Sequence, residues 1–331
     1  MKLKDKIHAY LCLIRIQGAI LESMFIITGA LIVGARDFGN ILILFLIGFM
    51  FHVYVYVLNE YIDVEIDSTS PELQKKPLVN GALPKRHAII ISILGLIGVF
   101  VLTIIFFPSL PSLICITLAV VSYGIYDVFG NKKIPGFAEF IGSVPYFFLF
   151  LFGVITITTQ FTTVINILGL LFFFKAVFGY VVEGELQDAD HDNLTGGNTL
   201  ALALGVHVKD RKLILTTKYR AFVFTLIGIC LFLIILLIFQ PEINFYYSNI
   251  MKLVIMIPLG LLIAIPTYKL LNPRIFDRSK IKKYYVLIDV ASIALLYIIL
   301  MPLLGIELVL FLIILPITWY ATFSIILYGQ L

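Results

Sequence analysis

Two short stretches of this sequence hold carboxylates at helical spacing. Residues 59–67 read NEYIDVEID, and residues 183–200 read EGELQDADHDNLTGGNTL. Successive residues on an α-helix are about 100° apart, so positions i, i+4 and i+8 drift by only about 40° per step and share a face. Asn59, Asp63 and Asp67 therefore form one acidic face. Glu185, Asp188 and Asp192, at i, i+3 and i+7, form a second, while Asp190 points elsewhere. Stacked carboxylates repel one another unless a cation compensates them. Carboxylates joined by an amide oxygen are hard ligands suited to Mg2+, which keeps several waters and bridges protein carboxylates to substrate phosphates. No His or Cys joins either cluster at zinc spacing, and His191 lies about 100° around a helix from Asp192. One such face reads equally as a solvated helix end. Two of matched spacing imply a diphosphate held through Mg2+.

The elements that carry these faces follow from composition. The chain has 331 residues, 61% hydrophobic and 13% charged, with a mean hydropathy of +1.06. Its apolar runs are continuous and near twenty residues long, which indicates membrane-spanning helices and excludes the alternating pattern of a β-barrel. Spans are expected at about 16–35, 40–60, 88–107, 110–127, 136–158, 162–184, 220–239, 249–270, 284–303 and 306–328. The expected fold is an all-α, polytopic transmembrane helical bundle of nine or ten spans, a single domain over 1–331, with motif-bearing loops after spans 2 and 6.

With ten spans, the N-terminus and the loops at 61–87, 128–135, 185–219 and 271–283 share one side. Of 24 Lys and Arg, only Arg36, Lys175 and Lys252 fall elsewhere. The positive-inside rule makes that side cytoplasmic. Both acidic faces then sit at cytoplasmic ends of even-numbered spans, placed to face one another across a cavity mouth. The net charge of +4 reflects topology and gives no reason to expect nucleic-acid binding. Cys12, Cys115 and Cys230 read as small hydrophobes in a reduced compartment. Arg15 interrupts the first apolar region, and no cleavable signal peptide is expected.

The motifs resemble those of a known family. Asn59, Asp63 and Asp67 are similar to the NxxxDxxxD motif of the UbiA superfamily of intramembrane prenyltransferases, and Asp188 with Asp192 resembles its DxxxD motif. KKPLVNGAL (75–83) resembles the family's R-P-L-x-x-G segment with Lys76 in place of Arg, and GGNTLA (196–201) matches its G-x-x-T-L. Order and distance fit over most of residues 10–210. The family's early R-P-x-N departs here to Arg15-Ile16-Gln17-Gly18, and the family commonly has nine spans. The resemblance implies Mg2+-dependent transfer of a polyprenyl group from a polyprenyl diphosphate to a lipophilic acceptor, an aromatic ring or an isoprenoid glycerol phosphate, with release of diphosphate. It implies that Asn59, Asp63, Asp67, Asp188 and Asp192 hold the metal and diphosphate, with Asp63, Asp67, Asp188 and Asp192 catalytic and Glu185 a further candidate ligand.

Diphosphate-neutralising cations are sought in Arg15, Lys76, Lys132 and Lys133, each of which reads equally as a positive-inside anchor. Lys175 lies about ten residues inside the sixth span, off the acidic face, and needs a partner from a neighbouring helix. His52 is two turns deeper than Asn59 on the same face. Its plain reading is a buried, hydrogen-bonded histidine; its functional reading, with Tyr56, Tyr126 and Lys175, is a wall of the acceptor pocket. Glu22, Glu139 and Asp289 are expected to face the bundle interior. The loops at 68–86 and 193–212, with Gly81, Gly196 and Gly197, are expected to be mobile without substrate and to close over the diphosphate. The rivals are a UbiA-type terpene cyclase, which would need no acceptor, and an ion-coupled transporter. Transporters bind near the bilayer midplane, whereas these carboxylates gather at one surface.

Overall fold

The computed structural model describes residues 2–69, 71–129, 134–195, 198–210, 212–243, 250–273 and 275–329. Helices dominate. In chain order they are α1 (Leu3–Leu13), a 3-10 turn (Ile16–Gly18), α2 (Leu21–Ile32), α3 (Phe38–Asp67), α4 (Lys85–Phe106), α5 (Leu110–Phe129) and α6 (Phe137–Ile155). There follow α7 (Thr163–Phe178), a π-helical segment (Gly179–Gly184), α8 (Glu185–Thr195) and α9 (Leu200–Ala203). A hairpin of β1 (His207–Lys209) and β2 (Lys212–Ile214) precedes α10 (Thr217–Ile238), α11 (Ile250–Leu271), α12 (Arg278–Ile299), α13 (Met301–Leu304) and α14 (Ile306–Tyr328).

Among the described residues eight helices are long and apolar enough to cross a bilayer, and α1 with Ile16–Ile32, bent by 49°, makes a ninth. By length and apolarity alone the described helices reach nine, the lower of the two expected numbers. The segment expected to span at 284–303 is α12, which begins earlier and carries Arg278, Lys280, Lys282, Lys283 and Asp289. That much charge keeps it off a count made on apolarity alone.

The chain divides into two compact units, residues 1–128, 144–160 and 314–331 in one, and 129–143 and 161–313 in the other. In the first, α3 packs against α2 and α4. Lipid tails offer helices no hydrophobic reason to associate, so close backbone approach at small residues does the work. A Cβ on Gly153 of α6 would lie 1.9 Å from the carbonyl oxygen of Ile26 in α2, and one on Gly48 of α3 would lie 2.4 Å from the Cα of Ser23. The opposite kind of surface, with Ile90, Leu94, Ile97 and Ile104 of α4 exposed, suits contact with lipid. The two chain ends are fastened together: His8 Nε2 donates to the Leu327 carbonyl at 3.0 Å, and Trp319 Nε1 to the Ile16 carbonyl at 2.8 Å.

In the second unit, α7 packs on α10 and α11 on α12, around Val177, Val181, Val182, Leu186, Tyr219 and Ile288. The Tyr219 hydroxyl donates to the Val181 carbonyl at 3.0 Å. That bond satisfies a backbone group inside the π-helical segment, where the regular ladder is disturbed.

Candidate active site

The first acidic face is built on α3. This helix starts at an Asp37 cap that accepts from Asn40 N at 2.8 Å. It runs 30 residues to Asp67, past the expected span end at 60, so the acids stand on a helix and not in the loop after it. Asn59 Nδ2 donates to Asp63 Oδ2 at 3.0 Å and to Asp127 Oδ1, from the end of α5, at 3.4 Å. One turn along, the Lys76 ammonium bridges Asp67 Oδ2 at 2.6 Å and Glu60 Oε1 at 3.0 Å. Arg15 donates through both Nε and Nη2 to the same Glu60 oxygen, and its guanidinium lies over the Tyr56 ring, 5.4 Å from the centroid.

An aromatic wall adjoins Arg15. Tyr56 packs on the His52 ring at 4.2 Å between centroids and on Tyr123 at 6.4 Å, and Tyr123 packs on Tyr126 at 5.3 Å. The structure thus gathers the expected pocket residues His52, Tyr56 and Tyr126 through Tyr123. His52 is fully buried and contacts Glu22 Oε2 at 2.7 Å through Nδ1 and the Ile14 carbonyl at 2.9 Å through Nε2. A carbonyl only accepts, so Nε2 carries a proton. That bond pins the chain where α1 breaks, and the next residue, Arg15, adopts the left-handed conformation with φ 47° and ψ 49°.

The second acidic face lies on α8. Arg278 at the start of α12 pairs with Asp190 at 2.8 Å and reaches Asp188 at 3.9 Å. Asp188 is exposed and Asp192 half-buried. Glu185 is turned inward, its carboxylate accepting from Ala201 N at 2.6 Å, and Glu139 accepts from Leu200 N at 2.8 Å. Together they satisfy the first amides of α9. Lys175 has the partner from a neighbouring helix that its depth requires: it pairs with Asp289 of α12 at 2.5 Å, and with Glu183 of the π-helical segment at 3.2 Å.

Lys132, Lys133, Gly196 and Gly197 lie outside the described residues. In the loop that carries Lys76, Leu78 and Leu83 are 5% and 2% exposed and pack with Val57, Val64 and Ala88. Asp127, Glu60 and Arg278 join the motif residues without belonging to either motif, and Asp289 joins Lys175. The signal for Asp289 was its charge inside an apolar run. For Arg278 and Asp127 the sequence offered only their placement at helix ends.

The first face fits a hard divalent ion. Its donors are all oxygen, and a cation, the Lys76 ammonium, already lies against Asp67. The Asn59 amide nitrogen is turned to the two carboxylates, which leaves its oxygen on the other side. Among the described residues no donor reaches the buried Asp127 Oδ2. Also among the described residues, no three His, Cys, Asp or Glu side chains form a ready metal cage. Mg2+ rarely takes one, binding through one or two carboxylates with water and substrate phosphate.

The family model described as the UbiA prenyltransferase family matches residues 23–282. No curated protein matches the chain. Among solved structures, that of a digeranylgeranylglyceryl phosphate synthase is 22% identical with a TM-score of 0.66, over 91% of this chain and 100% of that one. A UbiA homologue from Archaeoglobus fulgidus bound to GPP and Mg2+ is 15% identical with a TM-score of 0.59, over 88% and 99% of the two chains. An apo UbiA homologue from Aeropyrum pernix K1 is 15% identical with a TM-score of 0.62, over 84% and 98%. At these identities the likeness is one of fold.

Proposed function

From its membership of the UbiA prenyltransferase family, which makes this chain a multi-pass membrane prenyltransferase, we propose the finer reading of its reaction. It transfers a polyprenyl group from a polyprenyl diphosphate to a lipophilic acceptor, an aromatic ring or an isoprenoid glycerol phosphate, with Mg2+ and at the cytoplasmic face. Residues 1–331 act as one enzyme. The observation that carries this reading is the Lys76 ammonium bridging Glu60 and Asp67 at 3.0 and 2.6 Å, one turn from Asn59 and Asp63. Carboxylates for a metal and cations for a phosphate are interleaved there on one helix face.

Asn59, Asp63 and Asp67, with Asp188 and Asp192, hold the metal and diphosphate. Bound Mg2+ supplies neutralisation of the charge that grows on the leaving diphosphate. Arg15 and Lys76 add fixed positive charge on the same side, which favours cleavage of the C1–O bond of the prenyl diphosphate. Lys132 and Lys133 are further candidates for this contact. The faces of Tyr56, Tyr123 and Tyr126 stabilise the allylic cation through their ring quadrupoles and shield it from water. An acceptor carbon or oxygen then attacks C1 and gives up its proton.

The test is prenyl transfer by the purified, detergent-solubilised protein, with prenyl diphosphates of several lengths and both acceptor classes. Asp63→Ala and Asp192→Ala should each lower turnover by about 10²–10³ while the protein stays folded. Near-wild-type transfer by either would remove the site assignment. A cyclised hydrocarbon formed without acceptor would replace transfer by cyclisation.

A further inference from the structure

Asp127 belongs to neither acidic motif, yet it sits on the first. It is 7% exposed, near the C-terminal end of α5. Its Oδ1 takes the second hydrogen of the Asn59 amide at 3.4 Å, the first going to Asp63 Oδ2 at 3.0 Å. Its Oδ2 is buried and receives no hydrogen bond from any described residue, and no described Lys or Arg forms an ion pair with it. A buried carboxylate in that position is costly, and a second carboxylate sharing the same amide makes it more so. Arg15 acts on it only through space, and the direct ion pairs of both Arg15 and Lys76 are made with Glu60. The missing element is a cation.

We propose that Asp127 is a ligand of the divalent cation held by the first motif, so that α5 completes with a carboxylate what α3 begins with Asn59 and Asp63. The proposal rests on the metal-dependent reading above and extends it to a residue outside the motifs. A hard cation satisfies Asp127 Oδ2 and cancels the repulsion between Asp127 and Asp63. A third protein oxygen then holds the ion in place of a water, and ligand charge is what sets affinity in such sites.

The test uses Mn2+ as a hard divalent probe, titrated into the full-length detergent-solubilised protein and followed by electron paramagnetic resonance. Asp127→Asn keeps the size of the side chain and an oxygen that accepts from Asn59; Asp127→Ala keeps neither. Both should weaken Mn2+ binding by about tenfold or more, and both should raise the Mg2+ concentration at half-maximal transfer in step. If only Asp127→Ala weakens binding, Asp127 merely orients Asn59 and the ligand assignment is overturned. Wild-type affinity in both variants overturns it as well. In either case binding that is lost in Asp63→Ala leaves the metal reading intact. A wild-type protein that binds no Mn2+ overturns both. Thermal unfolding without metal serves as the folding control: Asp127→Asn should unfold no lower than wild type, because it removes an uncompensated buried charge.

Discussion

Arg15 combines backbone strain with a charged role. A non-glycine residue held in the left-handed region costs about 1–3 kcal/mol and persists only where its surroundings over-determine it. Here the carbonyls on either side, Ile14 and Ile16, are held by His52 and Trp319, and the side chain is held by Glu60 and Tyr56. Arg15→Gly and Arg15→Ala should both lose most transfer activity, since neither has a guanidinium. Glycine accepts this backbone freely, so Arg15→Gly should be more stable than Arg15→Ala by about 1 kcal/mol, measured by thermal unfolding in detergent. The reverse order would mean that residue 15 is not left-handed. Arg15→Lys should fold and lose about tenfold in kcat/KM, about 1.4 kcal/mol, because a point charge does not reproduce the fork on Glu60 and the stack on Tyr56.

At the scale of elements, the π-helical segment sets where the second acidic face points. On a straight α-helix residues eight apart lie about 80° out of line, whereas seven apart are nearly two full turns. A π-turn absorbs one extra residue, so Lys175 and Glu183 come onto one face and close to 3.2 Å. Lys175→Met would leave Glu183 and Asp289 uncompensated and should cost about 3–5 kcal/mol; adding Glu183→Gln should recover part of it in a double-mutant cycle. Deleting Val182 should straighten the helix, rotate α8 by about 100° and abolish transfer. An active deletion variant would show that the rotation does not matter.

The same elements mark how far the sequence was legible. Acid spacing at 59–67 and 185–192 was readable because a helix repeats within a few residues and needs no tertiary information. The pairings Asn59–Asp127, Arg278–Asp190 and Lys175–Asp289 join helices 68 to 114 residues apart, and one sequence carries no distance between helices. The π-turn left only a faint sign, its flanking Gly179 and Gly184. The left-handed Arg15 left none, because glycine, the usual sign, stands three residues later.

At the scale of the whole molecule, metal dependence and topology are open to direct measurement. Excess EDTA should abolish transfer, Mg2+ or Mn2+ should restore it, and a zinc-selective chelator should leave it unchanged. Topology has a parity as well as a count. His8 touches Leu327 and Ile16 touches Trp319, so the two ends of the described chain lie side by side. A chain that leaves by the surface it entered has crossed an even number of times. The eight apolar helices and the bent pair make nine, and a crossing by α12, 22 residues long, would make the number even. The Asp289–Lys175 ion pair would then be what lets a charged helix enter lipid. Epitopes placed before residue 2 and after residue 329 should accordingly be reached from one side of sealed vesicles, and from opposite sides if α12 stays outside.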